Sequence, residues 1–247
     1  MKPNRILPIL PDWPAPRTVR ALASSRVGGV SVAPYSGLNL AMHVGDDPQA
    51  VADNRRQLAG LLPAEPLWLT QVHGTRVQVA EDYTPGVQAD ACVAHTPGLV
   101  CVVLCADCLP VLFCDEGGTV VAAAHAGWRG LAAGVLEATV AAMDVAPGRL
   151  MAWFGPAIAQ PAFEVGAEVR GVFVGHDAKS AEAFLAQENG SGKWLCDLTA
   201  LARLRLAAAG VTRLIGGGPC TFSDPRRFYS YRRDGVTGRM ATLIWLE

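Results

Sequence analysis

The sequence is poor in charge and has no basic cluster longer than two adjacent arginines. Of its 247 residues, 17% are charged, and the formal net charge at pH 7 is −1. Nucleic-acid or anionic-membrane binding needs clustered lysine and arginine, so neither partner is expected. A small-molecule ligand of nucleotide size stays open, because it needs only local positive charge. Apolar residues make up 51% of the chain, which is typical of a folded protein with a large core.

Long hydrophobic runs are missing as well. The longest apolar stretch, residues 99–114, is interrupted by Asp107 and Pro110 and is too short to span a bilayer. The first 16 residues contain five prolines and lack the unbroken apolar region of a signal peptide. The cysteines number seven, and several lie in apolar runs, which favours free thiols in a reducing compartment over disulfides. We therefore expect a soluble, cytoplasmic protein.

Short apolar runs recur through the middle of the chain and are separated by Pro-Gly, Asp and Gly-Gly turn signals, which predicts successive strands. The predicted strands are residues 19–24, 76–80, 91–95, 99–104, 110–114, 119–125, 150–154, 211–215 and 240–246. The predicted helices are residues 48–59, 127–143, 166–173, 180–186 and 198–209. Strands grouped between helices indicate an α+β fold. We expect a single domain over residues 1–247, with an irregular, proline-rich lead-in at 1–18.

Two histidines and a cysteine end, or directly follow, hydrophobic stretches: His73, Cys108 and His125. Two imidazoles and a thiolate match the ligand set of a catalytic zinc with an open fourth position. The same trio fits a cysteine nucleophile with a histidine base. The residues are far apart in sequence, so no local metal motif joins them, and an ordinary buried histidine or cysteine is the commoner finding. Their placement at strand ends nevertheless favours a functional site.

Polar residues beside the trio strengthen this interpretation. Gln71, Asp107 and Arg129 adjoin the three residues, and buried core positions seldom recruit such neighbours. A helix predicted to start at residues 127–129 would direct its first backbone amides outward, which favours an anion. Cys105 and Cys108 form a CxxC pair, but neither a second CxxC nor a following helix supports a zinc-knuckle or redox function.

Two other segments are candidates for substrate binding. Asn39 and His43 lie in a glycine-punctuated loop before a helix, where a capped turn and a substrate-binding lid are equally compatible with the pattern. Near the other end of the chain, Ser230-Tyr-Arg-Arg-Asp234 combines aromatic and basic side chains. A surface hairpin with solvated charges is slightly favoured there, and Arg232 is the best candidate for binding phosphate or a base.

The combined motifs resemble those of the YfiH-like family, catalogued both as laccase-like polyphenol oxidases and as purine nucleoside phosphorylases. The resemblance runs from about residue 24 to the C-terminus. It rests on Gln71-Val-His-Gly, Thr96-Pro-Gly, Ala106-Asp-Cys-Leu-Pro-Val, His125-Ala-Gly-Trp-Arg-Gly, Gly155-Pro-Ala-Ile, Phe163-Glu-Val-Gly and Phe228-Tyr-Ser-Tyr-Arg-Arg. It implies a four-layer α/β/β/α sandwich with mixed β-sheets, distantly similar to the Cys–His deamidases of bacterial toxins.

The resemblance also implies zinc held by His73, Cys108 and His125, and a single copper ion at these donors is a second expectation. The implied activity is phosphorolysis of adenosine, inosine and S-methyl-5'-thioadenosine, with hydrolytic deamination of adenosine as a second reaction. Zinc lowers the pKa of water to about 7, which suits attack at C6 of adenine. In this scheme Arg129 binds phosphate and Asp107 exchanges a proton with the purine. Cys108 and His125 belong to the catalytic centre.

Two alternatives remain open on the sequence. In the first, Cys108 and His125 form a hydrolase or amidase, to which the family resemblance adds a role in editing cell-wall precursors. In the second, the chain binds metal without catalysis and uses a surface around Trp128 and Tyr231 for a partner. A multicopper laccase is not expected, because the chain has five histidines, too few for a trinuclear cluster beside a second copper site.

Overall fold

The computed structural model describes residues 6–188 and 190–247. Its strands are β1 Val19–Ala23, β2 Val77–Val79, β3 Ala91–Ala94, β4 Cys101–Cys105, β5 Leu109–Asp115, β6 Val121–Ala126, β7 Leu150–Phe154, β8 Glu164–Val165, β9 Phe184–Ala186, β10 Trp194–Cys196, β11 Arg213–Gly216 and β12 Met240–Leu246. Its helices are α1 Pro48–Ala59, α2 Trp128–Ala133, α3 Val135–Ala142, α4 Ala167–His176, α5 Leu198–Ala208 and α6 Tyr231–Asp234. Short 3-10 turns cover Ala80–Asp82, Pro147–Arg149, Gln160–Ala162 and Ala178–Ala183.

The strands form three sheets. The largest has the order β11-β7-β5-β6-β3-β2 and is mixed, because its outer pairs β11–β7 and β2–β3 are parallel while the inner pairs are antiparallel. An antiparallel sheet has the order β1-β12-β4, and a small antiparallel sheet has the order β8-β10-β9. The predicted α+β class with mixed sheets is confirmed.

Alternate residues of the central strands face opposite layers, as strand geometry requires. Val111 and Phe113 of β5 share a buried core with Leu136 of α3 and Leu201 of α5. From the other face, Leu112 shares a core with strands of the β1-β12-β4 sheet. Because burying one such leucine or phenylalanine stabilises the fold by about 1.5–3 kcal/mol, both faces of the large sheet are held firmly.

A third core covers the outer face of the β1-β12-β4 sheet. Val102 of β4 and Leu243 of β12 are buried there together with Leu58 of α1. The three cores therefore separate four layers: the helices around α3 and α5, the large sheet, the β1-β12-β4 sheet, and α1. This is the α/β/β/α arrangement expected from the family resemblance.

Three local predictions were wrong or incomplete. The helix predicted over residues 127–143 divides into α2 and α3 at Gly134, which has a φ of +103°, a left-handed conformation that interrupts a helix. The helix predicted over residues 180–186 is a 3-10 turn followed by β9, because that segment pairs with β10. The segment from Ser230 forms the short helix α6, capped by the Ser230 side chain, and not a hairpin.

The N-terminal lead-in is irregular where the structure describes it, from Ile6 onward, and residues 1–5 of the predicted lead-in lie outside the described residues. Ile9 joins the end of β1 through two backbone hydrogen bonds of 2.8 Å with Ala23. None of the helices in the described part of the chain has the length and hydrophobicity needed to cross a bilayer.

Candidate metal centre and substrate cavity

Three side chains from different strand ends converge at one edge of the large sheet. His73 lies in the loop before β2, Cys108 in the turn between β4 and β5, and His125 next to the end of β6. Because β5 and β6 are antiparallel and pair Leu109 with Ala126, the start of β5 lies beside the end of β6. The nitrogen and sulfur donor atoms of the three residues all lie within 4.8 Å of one another.

A buried carboxylate that the sequence analysis did not single out lies directly behind this group. Asp90 is fully buried, and its Oδ1 lies 2.9 Å from Nδ1 of His125. The same carboxylate accepts hydrogen bonds from the backbone amides of Val72, His73 and Gly74, at 3.1, 2.9 and 2.7 Å. Asp90 therefore contacts both the ring of one histidine and the loop of the other.

Glycine at position 127 makes room for the group. A Cβ atom there would lie 2.8 Å from Nδ1 of His73 and 2.9 Å from Sγ of Cys108, closer than carbon approaches either atom. Gly130 lies near the backbone of the same loop, where a Cβ would be 3.0 Å from the carbonyl oxygen of Gly74. The glycines of the segment 125–130 thus allow α2 to pack directly against the loop of His73.

The two histidines differ in their electrostatic surroundings. Burial opposes protonation of His125, but the Cys108 sulfur and the hydrogen bond to Asp90 outweigh it and raise its pKa to about 9. Burial, reinforced by the charge of His125, lowers the pKa of His73. Asp90 stays ionised, because hydrogen bonds from His125 and from the loop amides outweigh its burial and lower its pKa. A metal ion would take the place of a proton between these groups.

The group opens into a cavity of about 530 Å³, a volume within the range of small-molecule sites. Its apolar lining comes from Leu104, Ala106, Ile158, Phe163 and Leu198. Rings of Trp128 and Tyr231 and the imidazole of His43 also line it. Aromatic faces among these polar side chains favour a ligand with a flat, partly apolar part.

Three arginines line the same cavity: Arg129, Arg232 and Arg239. The guanidinium carbon of Arg129 lies 4.5 Å from the centre of the Trp128 ring. That of Arg232 lies 5.2 Å from the Phe163 ring. Within residues 6–188 and 190–247, none of the three arginines forms an ion pair with a carboxylate. Backbone carbonyl oxygens accept hydrogen bonds from Nη1 of Arg232 and Nη1 of Arg239, but no carboxylate within ion-pair distance in those residues neutralises the three charges.

Asp107 lies beside Cys108 in the cavity wall, but its carboxylate is already engaged. Its oxygens accept hydrogen bonds from Oγ1 of Thr221 at 2.6 Å, Oγ of Ser230 at 2.9 Å and the backbone amide of Arg232 at 2.7 Å. Three of its roughly four acceptor positions are thus used. Through these hydrogen bonds, Asp107 connects the turn that contains Cys108 with the start of α6.

The two candidate residues of the early loop have different surroundings. His43 lines the cavity, and burial together with the charges of Arg239 and Arg55 lowers its pKa. Asn39 is fully buried and is not among the residues that line the cavity. Its Oδ1 accepts a hydrogen bond of 2.9 Å from the backbone amide of Arg239, so it positions a cavity residue from behind.

The donor set suits zinc. Two imidazole nitrogens and one thiolate match the ligand set of a catalytic zinc, which would keep a fourth position for water or substrate. A metal-bound histidine usually donates its other ring nitrogen to a carboxylate, and Asp90 is in place to accept from His125. Glycine at position 127 leaves the donors the space that a side chain would fill.

A family profile described as "Multi-copper polyphenol oxidoreductase laccase" matches residues 20–247. The chain belongs to this YfiH-like family. A purine nucleoside phosphorylase of Pseudomonas aeruginosa is 55% identical over 97% of this chain and 98% of its own length. Purine nucleoside phosphorylase YfiH of Escherichia coli is 53% identical over 96% and 98%. The crystal structure of a Neisseria meningitidis DUF152 protein has a TM-score of 0.92 at 51% identity, covering 98% of this chain and 99% of that one.

The histidines of this YfiH-like chain are too few for the multicopper chemistry that the family's description names. Apart from His73 and His125, His43 lines the same cavity, and His95 and His176 are exposed elsewhere on the surface. Among the described residues, one group with metal-ligating potential is present, the His–Cys–His trio. A laccase needs several imidazole-rich copper sites, and these histidines cannot form them.

Proposed function

We propose that this chain is a zinc-dependent purine nucleoside phosphorylase that accepts adenosine, inosine and S-methyl-5'-thioadenosine, and that deaminates adenosine as a second reaction. The observation that carries the proposal is a His–Cys–His donor group at the wall of a cavity that also presents three arginines without carboxylate partners. The names of the relatives at 53–55% identity support the phosphorolysis of a purine nucleoside. Release of free purine that depends on phosphate is the direct test.

His73, Cys108 and His125 would hold the metal, with copper as an alternative occupant of the same three donors. Bound zinc supplies a Lewis acid that lowers the pKa of water. Asp90 keeps the imidazole of His125 oriented, and Gly127 leaves both His73 and Cys108 their positions. The seven free thiols of the described chain fit a reducing compartment, and we propose the cytoplasm.

The arginines supply the anion site that phosphorolysis requires. A phosphate must be held against C1' of the ribose while the purine leaves, and guanidinium groups bind phosphate oxygens in pairs. Burial lowers the pKa of Arg239, but an arginine stays charged at neutral pH. The helix α2 has six residues, so the side chains carry this assignment and the helix dipole adds little.

The aromatic residues supply the faces that a purine needs. Trp128, Phe163 and Tyr231 line the cavity. Stacking on such rings holds a base whatever the pattern of hydrogen-bond donors and acceptors on its edge. His43 has a lowered pKa, so at neutral pH its uncharged imidazole can both donate and accept a hydrogen bond to the nucleoside. Asp107 is assigned a supporting function here, since its hydrogen bonds to Thr221 and Ser230 occupy the carboxylate that proton transfer would need.

Replacement of Arg129 tests the anion site. Arg129→Ala removes one of the three guanidinium groups, so the KM for phosphate should rise about tenfold or more, because charge-assisted hydrogen bonds contribute about 1.5–3 kcal/mol. Arg149→Ala is the matched control, because Arg149 pairs with Glu116 at the far end of β7 and should leave this KM unchanged. An unchanged phosphate KM in Arg129→Ala would show that this residue does not bind phosphate.

A second candidate function rests on the position of His125 between Asp90 and Cys108. The Cys108 sulfur and Asp90 raise the pKa of His125 to about 9, and a cysteine beside a histidine that a third group orients is the arrangement of cysteine hydrolases. In that case Cys108 would attack an amide or ester, and zinc would block it. Covalent trapping of Cys108 by an electrophile, with activity that survives a chelator, would favour this hydrolase over the phosphorylase.

A further inference from the structure

We propose that Asp90 is the positioning residue of the metal centre, because its single carboxylate fixes the ring of His125 and the backbone of His73 together. The inference rests on the proposed metal site. It adds a residue that touches neither metal nor substrate and that is separated in sequence from both histidines.

The contact with His125 selects one ring nitrogen for the metal. Oδ1 of Asp90 lies 2.9 Å from Nδ1 of His125, and both side chains are buried. The backbone amide of His125 also donates to the carbonyl oxygen of Asp90 at 2.7 Å. A carboxylate beside Nδ1 accepts its proton in a hydrogen bond, which leaves the lone pair of Nε2 for the metal.

The contact with the other histidine holds a strained loop. His73 has a φ of +59°, in the left-handed region that residues other than glycine seldom adopt. Such conformations persist only where the surrounding structure determines them. Three consecutive amides, from Val72 to Gly74, donate to the two oxygens of Asp90. An asparagine offers one acceptor oxygen and would leave part of this set unpaired.

The chain contains a matched carboxylate that is remote from the donors. Asp115 is 2% exposed and accepts hydrogen bonds from the amides of Gly117, Thr119 and Val120. It ends β5, whose other end adjoins Cys108, so it lies about 20 Å from the site at the rise of an extended strand. Asp115→Asn therefore removes an equivalent loop-binding carboxylate without a histidine contact.

The test compares Asp90→Asn and Asp115→Asn with the wild-type protein. Zinc affinity is measured by competition with a chromophoric chelator, and the coordination geometry by the visible spectrum after loading with Co²⁺. We expect Asp90→Asn to bind zinc about 10–100-fold more weakly, as other losses of a histidine's carboxylate partner do, and to shift the cobalt bands. Asp115→Asn should unfold more easily and keep wild-type affinity and spectrum.

Equal zinc affinity and equal cobalt spectra in Asp90→Asn and wild type would overturn the inference while leaving the phosphorylase proposal intact. An equal loss of affinity in both variants would also overturn it, because the effect would then reflect lowered stability. If the wild-type protein bound no zinc, the proposed metal site would fail and the inference with it.

A measurement on the wild-type protein tests the positioning function of Asp90 even if Asp90→Asn does not fold. In zinc-loaded protein, long-range ¹H–¹⁵N spectra report which ring nitrogen of each histidine carries a proton. His125 should carry its proton on Nδ1, held against Asp90, with Nε2 bound to zinc. A proton on Nε2 of His125 would contradict the inference, because Nδ1 would then face the metal and not the carboxylate.

Discussion

Gly127 shows how one residue without a side chain shapes the centre. Its φ of −63° is open to any residue, so space and not backbone strain requires glycine. We expect Gly127→Ala to displace His73 or Cys108, because the added Cβ would lie 2.8 Å and 2.9 Å from their donor atoms, and to weaken zinc binding about tenfold or more. Chelator competition measures this effect.

Gly148→Ala is the control for this substitution, because a Cβ at Gly148 meets no atom within 4 Å. It should leave zinc affinity unchanged. Wild-type zinc affinity in Gly127→Ala would mean that the donors are not held against α2 as the structure shows.

At this scale the metal donors are easier to predict from the sequence than the residues behind them. His73, Cys108 and His125 stood out because polar groups at the ends of apolar runs are unusual. Asp90 and Arg239 directly precede the buried strands β3 and β12, so a polar residue at the start of an apolar run was the signal that could have found them. What could not be derived was the pairing of Asp90 with two histidines, because it depends on the order of strands in the sheet.

The hairpin of β5 and β6 gives a prediction at the scale of a structural element. Burial opposes ionisation of Asp115, but amide hydrogen bonds from Val120 and Thr119 outweigh it and lower its pKa. A carboxylate with a lowered pKa stabilises the fold above its unfolded pKa of about 3.9, and this contribution is lost as the pH falls through the lower folded value.

We therefore expect Asp115→Asn to lower the free energy of unfolding by about 1–3 kcal/mol at pH 7. Urea denaturation of both proteins at several pH values measures the difference. It should stay constant down to about pH 4 and shrink in more acidic solution as Asp115 of the wild-type protein takes up a proton. A difference that grew on acidification would contradict the hydrogen-bonding account of this turn.

Elements with strong local signals were the predictable ones. The helix α1 was predicted within its observed bounds because Asp47 caps it and proline follows, and the strands of the large sheet followed from their apolar runs. The segment 180–186 has no comparable signal of its own, and its strand exists because β10 pairs with it. Likewise, Gly134 looked compatible with one long helix until packing placed it in a left-handed conformation.

At the scale of the whole molecule, the site lies at strand ends of both the large sheet and the β1-β12-β4 sheet, because Cys108 lies between β4 and β5. The resemblance to a known family gave the layer order, which periodicity alone could not, since strand order depends on contacts distant in sequence. The cysteines Cys92, Cys101 and Cys114 lie fully buried in the core between the large sheet and the β1-β12-β4 sheet. They are therefore packing residues, whereas Cys108 is partly exposed in the cavity.

The small number of histidines leads to a prediction for the whole protein. After loading with Cu²⁺ and removal of the excess, we expect one tightly bound copper per chain, because His73, Cys108 and His125 form one donor group in residues 6–188 and 190–247. Elemental analysis and electron paramagnetic resonance measure the number and type of copper. Three or more copper ions per chain, with phenol-oxidising activity, would contradict the single metal site and favour a laccase.

Release of adenine from adenosine, measured with and without phosphate on protein of known zinc content, tests the central claim most directly. The account predicts that adenine and ribose 1-phosphate form together, that both require phosphate, and that both are lost in His73→Ala along with the metal. Inosine should form slowly in either buffer. Adenine release that is independent of phosphate, or its absence from zinc-loaded protein supplied with phosphate, would contradict the phosphorylase assignment.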